Sequence, residues 1–148
     1  SLDIYEWKLT ELKRRAKRAG AHNIETRLIS DNKVIKRLHE KADRLLIDAP
    51  CSGLGVLKRN PDSKWKIDQA FIDRIKGEQQ QILQDYSKIL KKGGQMIYAT
   101  CSILPSENNE QVKLFLSNNP DFTLVKDQKI MPSEGYDGFY MALIKRNA

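Results

Sequence analysis

Two cysteines carry the chemistry that can be read from this chain. Cys51 lies in Asp48-Ala49-Pro50-Cys51-Ser52-Gly53, and Cys101 in Thr100-Cys101-Ser102. A thiolate is a strong nucleophile once its pKa is lowered. A lone buried cysteine is most often just a small apolar residue. A pair placed alike suits a reaction that needs one nucleophile and one auxiliary thiol. Other kinds of site lack support. His22 and His39 are scattered and form no zinc spacing with the cysteines, so no metal is expected. Gly53 and Gly55 lack the pattern of a phosphate-cradling loop. No Cys-x-x-Cys marks a thiol redox motif.

Both cysteines need strands to place them. Residues 44–47, Arg-Leu-Leu-Ile, read as a short buried strand. Pro50 cannot donate a ladder bond, so the strand stops by then and lifts Asp48 and Cys51 onto a loop. Residues 95–99, Gln-Met-Ile-Tyr-Ala, read as a second strand with Cys101 just past its end. In open α/β sheets ligands bind at the carboxyl ends of the strands. If the two strands are neighbours, both thiols flank one pocket.

The remaining elements follow in order. Residues 1–4 read as a strand end tipped by Asp3. Residues 5–20 have helical spacing, with Leu9, Leu12 and Ala16 inward and Gly20 as the stop. Residues 23–30 read as a strand ending at Asp31, and Val34, Ile35 and Leu38 suggest a short helix. The segment 53–62 is a loop or broken helix. Residues 68–90 form the clearest helix, with Phe71, Ile75, Ile82, Tyr86, Ile89 and Leu90 as its stripe. Lys91 and Lys92 suit its negative end and Gly93-Gly94 its termination. Ser106 is the expected N-cap of a further helix, with Glu107 and Glu110 in its first turn and Val112, Phe115 and Leu116 buried. Residues 121–125 and 138–144 read as antiparallel strands. Alternating strands and helices predict an α/β sheet with helices on both faces. Asp3, Asp31 and Asp48 recur at strand ends. Turns favour Asp in any case, but an acid at a strand tip also suits ribose hydroxyls.

The 148 residues suffice for one domain with a real core. No apolar run is long enough to span a membrane, and no signal peptide opens the sequence. Two cysteines make no disulfide framework, so a reducing, cytoplasmic setting is expected. The net charge of +7 suggests a polyanionic partner. Its densest run is Lys13-Arg14-Arg15-Ala16-Lys17-Arg18, which reads either as a solvated helix face or as a phosphate-contacting patch.

In these motifs the chain resembles the Sun/RsmB family of RNA (cytosine-5)-methyltransferases. The resemblance rests on the two cysteine motifs, on Glu107-Asn108, on Arg59-Asn60-Pro61-Asp62 with Lys64-Trp65, and on Asp137-Gly138-Phe139-Tyr140-Met141-Ala142. It implies a Rossmann-like class I S-adenosylmethionine-dependent methyltransferase fold. Residues 1–148 would form a single, partial catalytic domain. Cys101 would attack carbon 6 of a cytosine in ribosomal or transfer RNA, and Cys51 would assist product release. Sequence alone does not decide between the thiols, because in related DNA enzymes the nucleophile follows a proline, as Cys51 does. Asp48 would hold the cytosine near the methyl donor. Asp3 would hold the ribose and Asp31 the adenine of S-adenosylmethionine. Arg59, Asn60, Lys64, Arg14, Arg15 and Arg18 would contact RNA. The family's first strand and glycine-rich loop have no match here, so the resemblance implies a fold truncated at its N-terminus and inactive alone. Its exposed sheet edges would offer a route to a homodimer. A catalytically dead RNA-binding or assembly module is the alternative.

Overall fold

The structure, a computed structural model, describes residues 1–148 apart from the side chain of Asn32. It falls into two compact units, Ser1–His39 and Glu40–Ala148. No helix among the described residues is long and apolar enough to cross a membrane.

The first unit is a strand–helix–strand–helix segment. β1 (Leu2–Asp3) and β2 (Arg27–Leu28) pair in parallel, with Asp3 opposite Leu28. α1 (Glu6–Arg18) makes the crossover that parallel pairing requires. Glu6 in its first turn and Arg15, Lys17 and Arg18 in its last complement the helix dipole. The strand expected over residues 23–30 shrinks to two residues, because β1 offers only two partners for a ladder. α2 (Asn32–Arg37) follows, its N-terminus capped by Asp31.

The second unit is built on a four-stranded sheet in the order β3-β4-β6-β5. β3 (Ala42–Asp48) runs parallel to β4 (Leu90–Thr100). β6 (Phe139–Arg146) is antiparallel to β4 and to β5 (Phe122–Ile130), so the last two strands pair as expected. α3 (Gln69–Tyr86) and α4 (Asn109–Asn118) supply Leu83, Val112 and Phe115 to a core with Ile47, Met96, Tyr98, Tyr140, Ala142 and Ile144. These helices cover one face of the sheet within this unit, where helices on both faces were expected. Leu46 on the opposite face of β3 is 68% exposed, so the strand is buried on one side only.

Two helix boundaries differ from expectation. α3 ends at Tyr86, a single 3-10 turn follows over Ser87–Ile89, and Leu90 already belongs to β4. Burial outweighs the helical reading of Lys91-Lys92-Gly93-Gly94: Ile89 and Leu90 are in the core, which draws the chain into the sheet. The register slips there, from Ala42 opposite Leu90 to Arg44 opposite Gln95. The α3 stripe is also rotated, with Ile72, Ile75, Gln79 and Leu83 buried. Ser106 is not an N-cap: Pro105–Glu107 is a 3-10 turn and α4 begins at Asn109.

The β3–β4 register sets Asp48 opposite Ala99, and Ala49 N–H donates to the Ala99 carbonyl at 2.9 Å. The loops carrying Cys51 and Cys101 therefore leave the sheet side by side. Gly55 ties them again, donating its N–H to the Cys101 carbonyl at 2.9 Å while its own carbonyl accepts from Gly138 N–H at 2.8 Å. A Cβ on Gly55 would lie 2.1 Å from the Gly138 carbonyl oxygen and 2.7 Å from that of Cys101. Gly55→Ala is expected to destabilise the chain by about 3 kcal/mol, as severe overpacking does. Gly77→Ala, at a helical site with nothing within 4 Å, is expected to stabilise it by up to about 1 kcal/mol. Urea unfolding of the two variants measures both.

Candidate active site

The two thiols meet. Cys51 Sγ and Cys101 Sγ are 3.2 Å apart, both half-buried, although they lie fifty residues apart in sequence on the loops that follow β3 and β4. At that distance one thiol can donate to the other's thiolate. The hydrogen bond from Cys51, acting against partial burial, brings Cys101 down to about 7. Cys51 moves the opposite way: it is the donor, it is desolvated, and it faces the Cys101 charge, so its proton is held far above the ordinary thiol range. The pair thus favours ionisation of Cys101 over Cys51, with the Cys101 thiolate half formed at about pH 7. Asp48 at the tip of β3 is exposed, and no hydrogen bond or ion pair engages its carboxylate among the described residues. Its charge opposes that of the Cys101 thiolate.

Each cysteine is fixed through its neighbours in sequence. On either side of Cys51, the Pro50 carbonyl accepts from Gln79 Nε2 at 2.9 Å, and Ser52 N–H donates to Glu107 Oε1 at 2.7 Å. On either side of Cys101, Thr100 Oγ1 donates to Asn108 Oδ1 at 2.5 Å, and the Ser102 carbonyl accepts from Asn108 Nδ2 at 2.8 Å. The hydroxyls of Ser52 and Ser102 both donate to Glu107 Oε2, the first at 2.5 Å, and lie 3.1 Å from each other. Gln79 Nε2 also reaches Glu107 Oε1 at 3.2 Å. Tyr98, its phenol pushed up by burial, donates to the Glu107 carbonyl at 2.8 Å. Gln79, Thr100, Ser102, Glu107 and Asn108 are all fully buried.

Glu107, expected as a first-turn acid serving a helix dipole, is instead the acceptor at the centre of this network. The sequence did hold a signal: each cysteine is followed by a serine, and an acid stands five residues after the second serine. Gln79 is a second network residue with no role expected from sequence. Its signal is a polar residue at a position of the apolar stripe between Ile75 and Leu83.

The other expected site residues are placed as follows. Asp3 and Asp31 belong to the first unit: Asp3 closes β1, whereas Asp31, expected at a strand tip, lies beyond the end of β2 at Leu28 and caps α2. Asp3 Oδ1 accepts from Tyr5 N–H at 2.8 Å, and its Oδ2 lies 3.8 Å from Lys8 Nζ. Asp31 Oδ1 accepts from Lys33 N–H at 2.8 Å. Arg14 and Arg15 both pair with Glu11, holding its carboxyl down at about 2, and Arg18 is exposed. In the second unit Arg59 pairs with Asp137 at 2.5 Å, and Asn60 precedes a 3-10 turn over Pro61–Trp65. Lys64 Nζ lies 4.7 Å from the centre of the Trp65 ring, which is 80% exposed.

Known proteins resemble this chain in sequence and in fold. Residues 1–145 match the family model for the 16S rRNA methyltransferase RsmB/F. The chain is 43% identical over 126 residues to the ribosomal RNA small subunit methyltransferase B of Pasteurella multocida, covering 76% of this chain and 28% of that protein. It is 38% identical over an alignment of 157 positions to the protein of that name in Yersinia enterocolitica, covering 99% and 36%. The chain therefore spans about a third of the length of these relatives. Among solved structures, PH0851 superposes with a TM-score of 0.92 at 28% identity, covering 98% of this chain and 36% of that one. NSun6 from Pyrococcus horikoshii, solved with SFG, superposes with a TM-score of 0.86 at 25% identity, covering 99% and 41%. With nearly its whole length matched, the chain belongs to the 16S rRNA methyltransferase RsmB/F family.

Proposed function

We propose that this chain carries the reacting thiols of an RNA cytosine-5 methyltransferase that uses S-adenosylmethionine, with Cys101 as nucleophile and Cys51 as its proton-bearing partner. The observation that carries this reading is the 3.2 Å approach of the two half-buried thiols, and the lowered pKa of Cys101 accords with it. RNA as substrate and a cytoplasmic setting accord with family membership.

The residues fit the methyl donor. Asp31 Oδ2 and both Asp48 oxygens accept no hydrogen bond among the described residues, and Asp3 Oδ2 has only a long ion pair. Such oxygens suit hydroxyl and amino donors, and by the family resemblance Asp3 would hold the ribose, Asp31 the adenine, and Asp48 the reacting end and the cytosine. When bound, the cofactor supplies an electrophilic methyl group. The Cys101 thiolate adds to carbon 6 of the cytosine, which makes carbon 5 nucleophilic. After methylation a base removes the carbon 5 proton and the Cys101–carbon 6 bond breaks. Cys51 keeps its proton against Cys101 Sγ and stabilises that sulfur as it leaves with its electron pair, so Cys51 acts on release. Arg14, Arg15, Arg18, Arg59 and Lys64 serve as phosphate contacts and Asn60 as a polar contact to the RNA. Pairing of Arg14 and Arg15 with Glu11 offsets one positive charge of the α1 patch.

By themselves, these 148 residues contain no glycine-rich loop for the methionine end of the cofactor. We expect them to bind S-adenosylmethionine weakly and to transfer no methyl group. Each missing hydrogen bond costs about 0.5–1.5 kcal/mol, so several cost a few orders of magnitude in affinity. Titration calorimetry on this chain, beside a relative of full length, measures the difference; micromolar binding by the short chain would refute it.

In a full-length protein bearing this sequence, Cys101→Ala is expected to abolish methylation and trapping on RNA containing 5-fluorocytosine. Cys51→Ala is expected to accumulate an adduct that does not resolve. The reverse pattern would exchange the two roles, and no adduct in either background would favour an RNA-binding module without chemistry.

The pair also sets a pH dependence. Alkylation of Cys101 requires its thiolate, so the rate should rise with pH to a half-point at about 7. Cys51→Ala removes the donor, and the half-point should move up toward that of an ordinary thiol, about 8.5. Iodoacetamide kinetics followed by peptide mass spectrometry give both values.

A further inference from the structure

We propose that Glu107 is a positioning residue: its buried carboxylate holds the Cys51 and Cys101 loops together so that the two thiols stay within a hydrogen bond of each other. The catalytic meaning of this proposal rests on the reading of the thiols given above; the geometry of the clamp does not.

Glu107 is a fully buried carboxylate, and all four of its acceptor sites are used. Oε1 takes Ser52 N–H and Gln79 Nε2, and Oε2 takes the hydroxyls of Ser52 and Ser102. These donors come from the loop after β3, from α3 and from the loop after β4. The residue that follows each cysteine therefore ends on the same carboxylate. Backbone pairing stops short of this point. Ala49 is bonded to Ala99, and Gly55 to Cys101, but between Ala49 and Gly55 no backbone-to-backbone bond joins the Cys101 loop among the described residues. Cys51 lies in that interval, so its height against Cys101 is set by side chains.

The chemistry distinguishes a clamp from a charge. Glu107's negative charge by itself raises the Cys101 pKa. Removing that charge and nothing else should lower the half-point of Cys101 alkylation. Releasing the loops should raise it, because Cys101 then loses the Cys51 donor. Glutamine has the same length, its oxygen can serve Ser52 N–H and Gln79, and the two serine hydroxyls can turn to accept from its amide. Glu107→Gln should therefore keep the clamp while removing the charge.

The test uses this chain as it stands. Two quantities are read: the pH half-point for iodoacetamide alkylation of Cys101, and the fraction of Cys51–Cys101 disulfide in glutathione buffers. In the second, two thiols and one glutathione disulfide give the internal disulfide and two glutathione thiols. For Glu107→Ala we expect the half-point to rise by about one pH unit and the effective concentration of the thiol pair to fall about tenfold or more. Glu107→Gln should stay near wild type in both, with a half-point equal or lower. A folded Glu107→Ala with a half-point at or below wild type and an unchanged disulfide equilibrium overturns the proposal. If circular dichroism shows that Glu107→Ala does not fold, Ser102→Ala removes the Cys101-side tether, together with the Ser52 contact and the bond from Leu104 N–H, and leaves the other three donors to Glu107 in place. It should shift both readouts in the same direction, and no shift there overturns the proposal equally. A wild-type chain that pairs its thiols in this way, while the full-length protein forms no 5-fluorocytosine adduct, would refute the functional reading and leave the clamp standing.

Discussion

The register that sets Asp48 of β3 opposite Ala99 of β4 brings two chain segments fifty residues apart to the same height on one sheet. A strand's side chains alternate faces with a period of two, so a slip of one residue would turn Ile47 and Leu45 out of the core. The slip is prevented by what β3 buries: Ile47 packs with Met96, Tyr98 and the helices of the same unit. Register is therefore fixed by burial, and the thiol pair inherits its alignment from an apolar constraint. Pro50 and the glycines then release the chain from the ladder at the point where the chemistry starts.

Beyond the strand ends the logic changes from apolar to polar. Burying a carboxylate costs several kcal/mol unless hydrogen bonds replace its water. Glu107 has those bonds, and Asn108 beside it engages Thr100 and Ser102 in the same manner. Such a network is poor as a source of net stability and good as a source of geometry, since each partner is left unsatisfied by any other arrangement. The thiols sit at the edge of this dry region. Cys51 is desolvated enough to keep its proton and Cys101 accepts it as a hydrogen bond, so one environment separates two identical groups.

The parts of this arrangement that depend on local pattern were legible in the sequence. The apolar runs at residues 44–47 and 95–99, broken by Pro50 and followed by Cys101, announced both strands and both loops. The antiparallel closing strands and the basic α1 were equally plain. What depended on tertiary competition was not. Lys91-Lys92-Gly93-Gly94 has every mark of a helix end, yet burial of Ile89 and Leu90 claims the segment for β4. Pro105-Ser106-Glu107 has every mark of a helix start, yet Glu107 turns inward because buried donors face it. Gln79 looked like one polar residue among several on a long helix. Its partner at Pro50 is 29 residues away, and no window of local periodicity contains both.

That distance has a kinetic consequence. The bonds that bracket the thiols span 55 residues from Ser52 to Glu107 and 28 from Gln79 to Glu107. Chain entropy must be lost over such spans before any of these contacts is rewarded, and non-local contacts of this kind form late. Met96 and Leu83 can meet in a loose collapse, but a carboxylate sheds its water only when all its donors have arrived. The thiol pair is thus assembled near the end of folding and is among the first features lost when the unit opens locally. Its reactivity at neutral pH is a property of the closed ensemble alone, and it reports on whether this part of the molecule is whole.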